Sequence, residues 1–72
     1  MFLITINTLA DGRFEFKALA RLKLETSNTA VRKRMQDLAR EHFGEHAIHI
    51  KGVDGYGHWA NKKTGQTIEL EF

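Results

Sequence analysis

Seventy-two residues, 42% hydrophobic and 28% charged, with a net charge of +2 and neither cysteine nor proline, describe one small domain. A chain this short buries only about 60% of its unfolded surface, so nearly every large apolar residue should be structural. The lack of cysteine excludes disulfides and thiolate zinc sites and fits a cytoplasmic setting; no apolar run approaches the ~20 residues that span a bilayer, so no membrane partner is expected.

The start, MFLITIN, lacks a basic leader and a cleavage site and reads as a first strand. Leu9-Ala10-Asp11-Gly12 suits a type I turn with Gly12 left-handed, the three-residue hairpin loop. From Arg13 to Glu25 apolar residues alternate: Phe14, Phe16, Ala18, Ala20, Leu22 and Leu24 share one side. Period two over that length predicts a half-buried strand, although Phe16 to Leu24 also contains good helix formers. If Leu9 opposes Arg13, then Ile6 meets Phe16, Ile4 meets Ala18 and Phe2 meets Ala20, all on the side expected to pack. Leu3 and Leu19 are then paired on the outer face between Lys17 and Arg21, in the centre-and-rim pattern of a protein interface.

Asn28 to Phe43 predicts a helix. Val31, Met35, Leu38 and Ala39, continued by His42, form one stripe at three- and four-residue spacing. Thr26-Ser27-Asn28-Thr29 offers capping oxygens, and Gly44 suits the residue after the last turn. Beyond it, Ala47 to Lys51 predicts a third strand and Asp54-Gly55 a two-residue turn, which would set Ile50 against Trp59 and Lys51 against His58. A last turn within Asn61 to Gln66 leads to a closing strand, with Ala60 against Thr67 and Trp59 against Ile68. On this reading Ile48, Ile50, Trp59, Ile68 and Leu70 face inward, while His49, Lys51, Tyr56, His58 and Glu69 face out. The fold class is α+β: a single antiparallel sheet of about five strands, ββαβββ, with one helix packed on its inner face.

The residues exclude more chemistry than they suggest. Four histidines (His42, His46, His49, His58) show no converging tetrahedral set, so no metal and no cofactor is expected. The single serine, Ser27, lies in the helix-capping segment, and no nucleophile, base and oxyanion donors come together; a non-enzymatic protein is expected. GVDGYG precedes a strand and not a helix N-terminus, so its glycines are assigned to turns.

Charge is unevenly spread. Eight basic residues against three acids lie between Arg13 and Arg40, and three against five after it. The helix arc Arg32, Lys33, Gln36 and Arg40 is the main candidate for meeting phosphates or an acidic protein surface, with Lys62-Lys63 at a hairpin tip as a second basic point. Asp37 neutralises part of the arc by helix pairing. Tyr56 is the one aromatic expected on the outer face.

The layout, and the segment AIHIKGVDGYGHWANKKTGQTIELEF from Ala47 to Phe72 in particular, resembles small phage-encoded anti-CRISPR inhibitors of the type I-F kind. The shared features are a tight turn, a single tryptophan and a lysine-rich turn ending in Gly65. The resemblance implies a protein partner, a CRISPR surveillance complex, on which Lys62, Lys63, Arg32 and Arg40 would block or mimic nucleic-acid contacts. The chain departs from DNA mimics, which are acidic. Two other expectations stand beside it: sequence-independent nucleic-acid binding through the same cations, and a housekeeping interaction domain that self-associates through its sheet; the chain is expected to be a monomer or a weak homodimer.

Overall fold

The computed structural model describes residues 1–72. Strands β1 (Phe2–Thr8) and β2 (Phe14–Arg21) precede helix α1 (Asn28–Phe43); a 3-10 turn (Gly44–His46) leads into β3 (Ala47–Ile50), β4 (His58–Asn61) and β5 (Thr67–Glu71). All pair antiparallel in one sheet ordered β2-β1-β5-β4-β3. The first and last strands thus lie side by side, and β5 is central.

The helix forms where its stripe predicts. Ser27 Oγ accepts a hydrogen bond from Ala30 N at 3.2 Å, and Gly44 N donates to Arg40 O at the other end. Val31, Met35, Leu38, Ala39 and Phe43 are buried, and with Leu3 and Ile68 they make the core. His42 is exposed, and Phe43 takes the place expected for it at the end of the stripe. The first hairpin closes with Leu9 N donating to Arg13 O (2.7 Å) and Gly12 N to Leu9 O (3.0 Å), Gly12 standing at φ 86°. Ile6 pairs with Phe16 and Ile4 with Ala18, as the register argument requires, and Phe16 to Arg21 is strand, not helix.

The faces of this hairpin are reversed from expectation. Leu3 is fully buried under the helix, whereas Phe14 and Phe16 are each 61% exposed. The reason lies in β5, which pairs Leu3 with Leu70, Ile4 with Glu69 and Thr5 with Ile68. Strict alternation in β5 forces a choice between covering Ile68 and Leu70 or covering Glu69 and Glu71. Burying unpaired carboxylates is far more costly, so the aliphatic side goes under the helix and β1 follows in register. Leu3 is therefore a core residue and not the centre of an interface. Leu19 falls at a bulge, since the register shifts between Leu3–Ala20 and Ile4–Ala18. The extra residue turns Leu19 inward beside Ala20, half-buried against the core.

A second shift affects β3. His49 pairs with Trp59 and Ile50 with His58, one residue from the expected register. Lys51 to Gly57 form a seven-residue connection, not a two-residue turn. Gly55 N donates to Gly52 O at 3.2 Å, and Asp54 Oδ1 accepts from Tyr56 N and Gly57 N, each at 2.9 Å. With the slip, Ile48 and Ile50 (each 40% exposed) point outward and His49 moves to the helix side. The β4–β5 register is as expected, Trp59 to Ile68 and Ala60 to Thr67.

Candidate functional site

Between the first two turns of α1 and the β3–β4 hairpin lies an open cleft of about 450 Å³. From the helix it takes Thr29, Arg32, Lys33 and Gln36, which recur at three- and four-residue spacing and so form one stripe. Met35 closes its floor from the core side. From the hairpin come His49, Tyr56 and Trp59. The arrangement sets two cations opposite three rings.

Each ring is held in place. His49 lies over Trp59, with centroids 5.0 Å apart and planes inclined by 27°, because the observed register sets the two residues directly opposite. His49 Nε2 lies 3.1 Å from Tyr56 O; a carbonyl only accepts, so this nitrogen carries the proton. The Tyr56 hydroxyl donates to Asn28 Oδ1 and ties the connection to the start of the helix. Tyr56 is therefore half-buried on the helix side, not on the outer face as expected.

The electrostatics favour an anion. Arg32 pairs with no carboxylate, while Lys33 Nζ stands 3.4 Å from Asp37 Oδ1 in an exposed pair of little energetic weight. The first turn of α1 carries no acidic residue, so the positive end of the helix dipole is not neutralised. On the far side of the cleft, the two backbone amides donated to Asp54 hold its carboxyl below the ordinary value of 3.8. A lowered folded pKa means that this contribution is present above the ordinary carboxylate range and is lost as pH falls through the lowered value. Tyr56 and Gly57 amides are accordingly expected to keep their slow hydrogen exchange through the ordinary aspartate range and to lose it only below. Asp54→Ala should abolish that protection at neutral pH, as amide exchange followed by NMR would show.

Not every expected site residue converges here. Arg32, Lys33, Gln36 and Tyr56 are brought together. Arg40 continues the same stripe one turn beyond Gln36. Lys62 and Lys63 stand on a turn organised by Asn61 Oδ1, which accepts from Lys63 N (2.9 Å) and Thr64 N (3.2 Å). Lys62 N donates to His46 O at 3.0 Å, so this turn sits at the C-terminal end of the helix, away from the cleft. Leu3 and Leu19 belong to the core side of the sheet. His49 and Trp59 were missed as site residues, and the signal for Trp59 was chemical: an indole N–H makes full burial in so small a core unfavourable. No three His, Asp or Glu side chains converge as metal ligands, and no helix is long and apolar enough to cross a membrane. Comparison with protein-family models, curated proteins and solved structures finds no match.

Proposed function

We propose that this is a small non-enzymatic binding protein that takes single-stranded nucleic acid into the cleft of α1 and the β3–β4 hairpin. The observation that carries the reading is the juxtaposition of Arg32 and Lys33 with the His49–Trp59 stack and Tyr56. Strand binding without sequence preference needs cations for the backbone and ring faces for the bases, and both line one groove here. Each stacked base contributes about 1–3 kcal/mol and is tolerant of sequence, because every base has a π-face. His49 Nε2 and the Tyr56 hydroxyl are already engaged within the protein, by Tyr56 O and Asn28 Oδ1, which leaves these two rings to act through their faces and suits sequence-independent binding.

Fluorescence anisotropy with a labelled single-stranded oligonucleotide tests this. Replacing both cations, Arg32→Glu with Lys33→Glu, is expected to weaken binding at least ~10-fold at low salt, and His49→Ala by about 5-fold or more. Lys62→Glu with Lys63→Glu, outside the cleft, should change it less than about threefold. Equal losses from both pairs would mean diffuse attraction to a basic surface, and the cleft would have no special part.

A second reading is docking on a CRISPR-type nucleoprotein complex, as the resemblance implies. It is favoured by cations beyond the cleft, where Arg40, Lys62 and Lys63 extend the basic side toward the end of the sixteen-residue helix. Affinity capture from lysate with and without nuclease separates the two: one stoichiometric complex surviving nuclease supports docking, and capture that vanishes supports strand binding.

A further inference from the structure

The face of the sheet opposite the helix is uncovered and apolar along β2 and β1. Phe14 and Phe16 are 61% exposed and Phe2 42%, with Ile4 and Ile6 half-buried between them. Exposed aromatic surface of this extent on so small a domain marks an interaction site. It lies on the other side of the sheet from the cleft, so the two can act independently.

We propose that the occupant of this face is a second copy of the chain, packed sheet to sheet about a two-fold axis parallel to β1. The order of residues across the strands makes the face complementary to itself. Phe2 pairs with Arg21 on one side and Glu71 on the other, Ile4 with Ala18 and Glu69, and Ile6 with Phe16 and Thr67. A two-fold axis running along β1 exchanges its left and right neighbours. Ile4 and Ile6 then meet their own copies on the axis, and Arg21 of each protomer faces the partner's Glu71, twice over. Phe16 stands over the partner's Thr67. Thr67 borders a depression of about 360 Å³ lined by Phe14 and Phe16 of β2, by Ile6 and Thr8, and by Gly65, Thr67 and Glu69, so the partner's Phe16 would enter it on the β5 side. The bulky side of one copy thus faces the shallow side of the other, and the face is self-complementary in both shape and charge.

Charges on the face are compatible with this docking. The Arg21 guanidinium already sits over the Phe2 ring, 6.0 Å from its centroid, at the height where the partner's carboxylate would arrive. Glu69 opposes small Ala18, and its Oε2 accepts from Thr67 Oγ1 at 3.1 Å. A two-fold axis along β5 would instead set Glu69 against Glu69 and Glu71 against Glu71, which like-charge repulsion disfavours. The area also decides the strength. Three strands about 4.8 Å apart and five to eight residues long, with three partly exposed phenylalanines, give on the order of 500–600 Å² per protomer. That is below the ~800 Å² per partner of a standard stable interface, so a reversible dimer in the micromolar range follows.

Sedimentation equilibrium of the full chain, from about 1 to several hundred micromolar, reads this directly. A concentration-dependent dimer is expected. Arg21→Glu alone, and Glu71→Arg alone, should each weaken it ~10-fold or more by setting like charges together twice, and the double variant Arg21→Glu with Glu71→Arg should restore it to within about threefold. All these residues are exposed, so circular dichroism should stay unchanged; Phe16→Asp, also exposed, should leave only monomer. A chain that stays monomeric throughout overturns the proposal. So does a dimer insensitive to Arg21→Glu, as edge-to-edge pairing through β2 would give, or a double variant that fails to recover.

Discussion

Leu3→Ala is expected to lower the unfolding free energy by about 3–4 kcal/mol, and Phe16→Ala by less than about 1 kcal/mol. Leu3 is fully buried among Val31, Met35, Leu38 and Ile68, and truncation leaves a cavity that a helix held against β3, β4 and β5 fills poorly. Phe16, although larger, lies 61% exposed and gives up little packing in the monomer. For a domain of 72 residues, whose whole stability is about 4–11 kcal/mol, the first change removes a large share and should depress the melting temperature by roughly 15 °C or more. Urea or thermal denaturation followed by circular dichroism, at concentrations where the monomer dominates, compares the two. Equal effects, or a larger loss for Phe16→Ala, would mean that the helix covers the other side of β1.

The second large effect is expected at Gly57. Its backbone is left-handed at φ 64°, and a Cβ added there would come closer than 3.0 Å to the Ile50 carbonyl oxygen. Ile50 is the last residue of β3, and its carbonyl belongs to the backbone, so it cannot rotate away as a flexible side chain could. Gly55 provides the control: it is also left-handed, at φ 84°, but a Cβ added there meets nothing within 4 Å. Gly55→Ala is thus expected to cost about 1 kcal/mol for conformation alone, and Gly57→Ala about 3 kcal/mol or more. The functional consequence should exceed the stability loss. Moving Gly57 away from Ile50 displaces Tyr56, which holds both Asn28 and His49, and so opens the ring side of the cleft. Oligonucleotide binding should fall with Gly57→Ala under conditions where the variant is still folded, and should persist with Gly55→Ala.

The bounds of the helix and its stripe up to Ala39 were legible because their signals are local: the spacing from Val31 to Ala39, a capping oxygen within Thr26 to Thr29 and the glycine that ends it. Pairing was legible for a similar reason in the first hairpin up to its bulge and between β4 and β5, since Ile6–Phe16, Ile4–Ala18, Trp59–Ile68 and Ala60–Thr67 depend on nearby turns. Which face the helix covers was not legible. The pairing of β1 with β5 joins residues more than sixty positions apart, and no local pattern reveals that Leu3 will align with Leu70. Taken alone, the N-terminal hairpin has its more apolar side on Phe14 and Phe16, and only the carboxylates of Glu69 and Glu71 reverse the choice. The candidate site divides along the same line. Arg32, Lys33 and Gln36 were visible on one helical arc, whereas His49 joined them through a one-residue shift of β3 past β4 that sets it over Trp59. That shift follows from a seven-residue connection in which Asp54 ties back two amides, an arrangement that Asp54-Gly55 alone does not announce.

The chain contains one tryptophan, Trp59, and it lies in the cleft, so its fluorescence is the most direct measure of whether a strand enters there. Titration with a single-stranded oligonucleotide is expected to quench the emission to saturation as a base stacks on the His49–Trp59 pair. The affinity should fall with salt at a logarithmic slope near −1.4, about −0.7 for each of the two phosphates met by Arg32 and Lys33. An emission unchanged at saturating oligonucleotide, while anisotropy still reports binding, would place the strand elsewhere on the surface and contradict the cleft as its site.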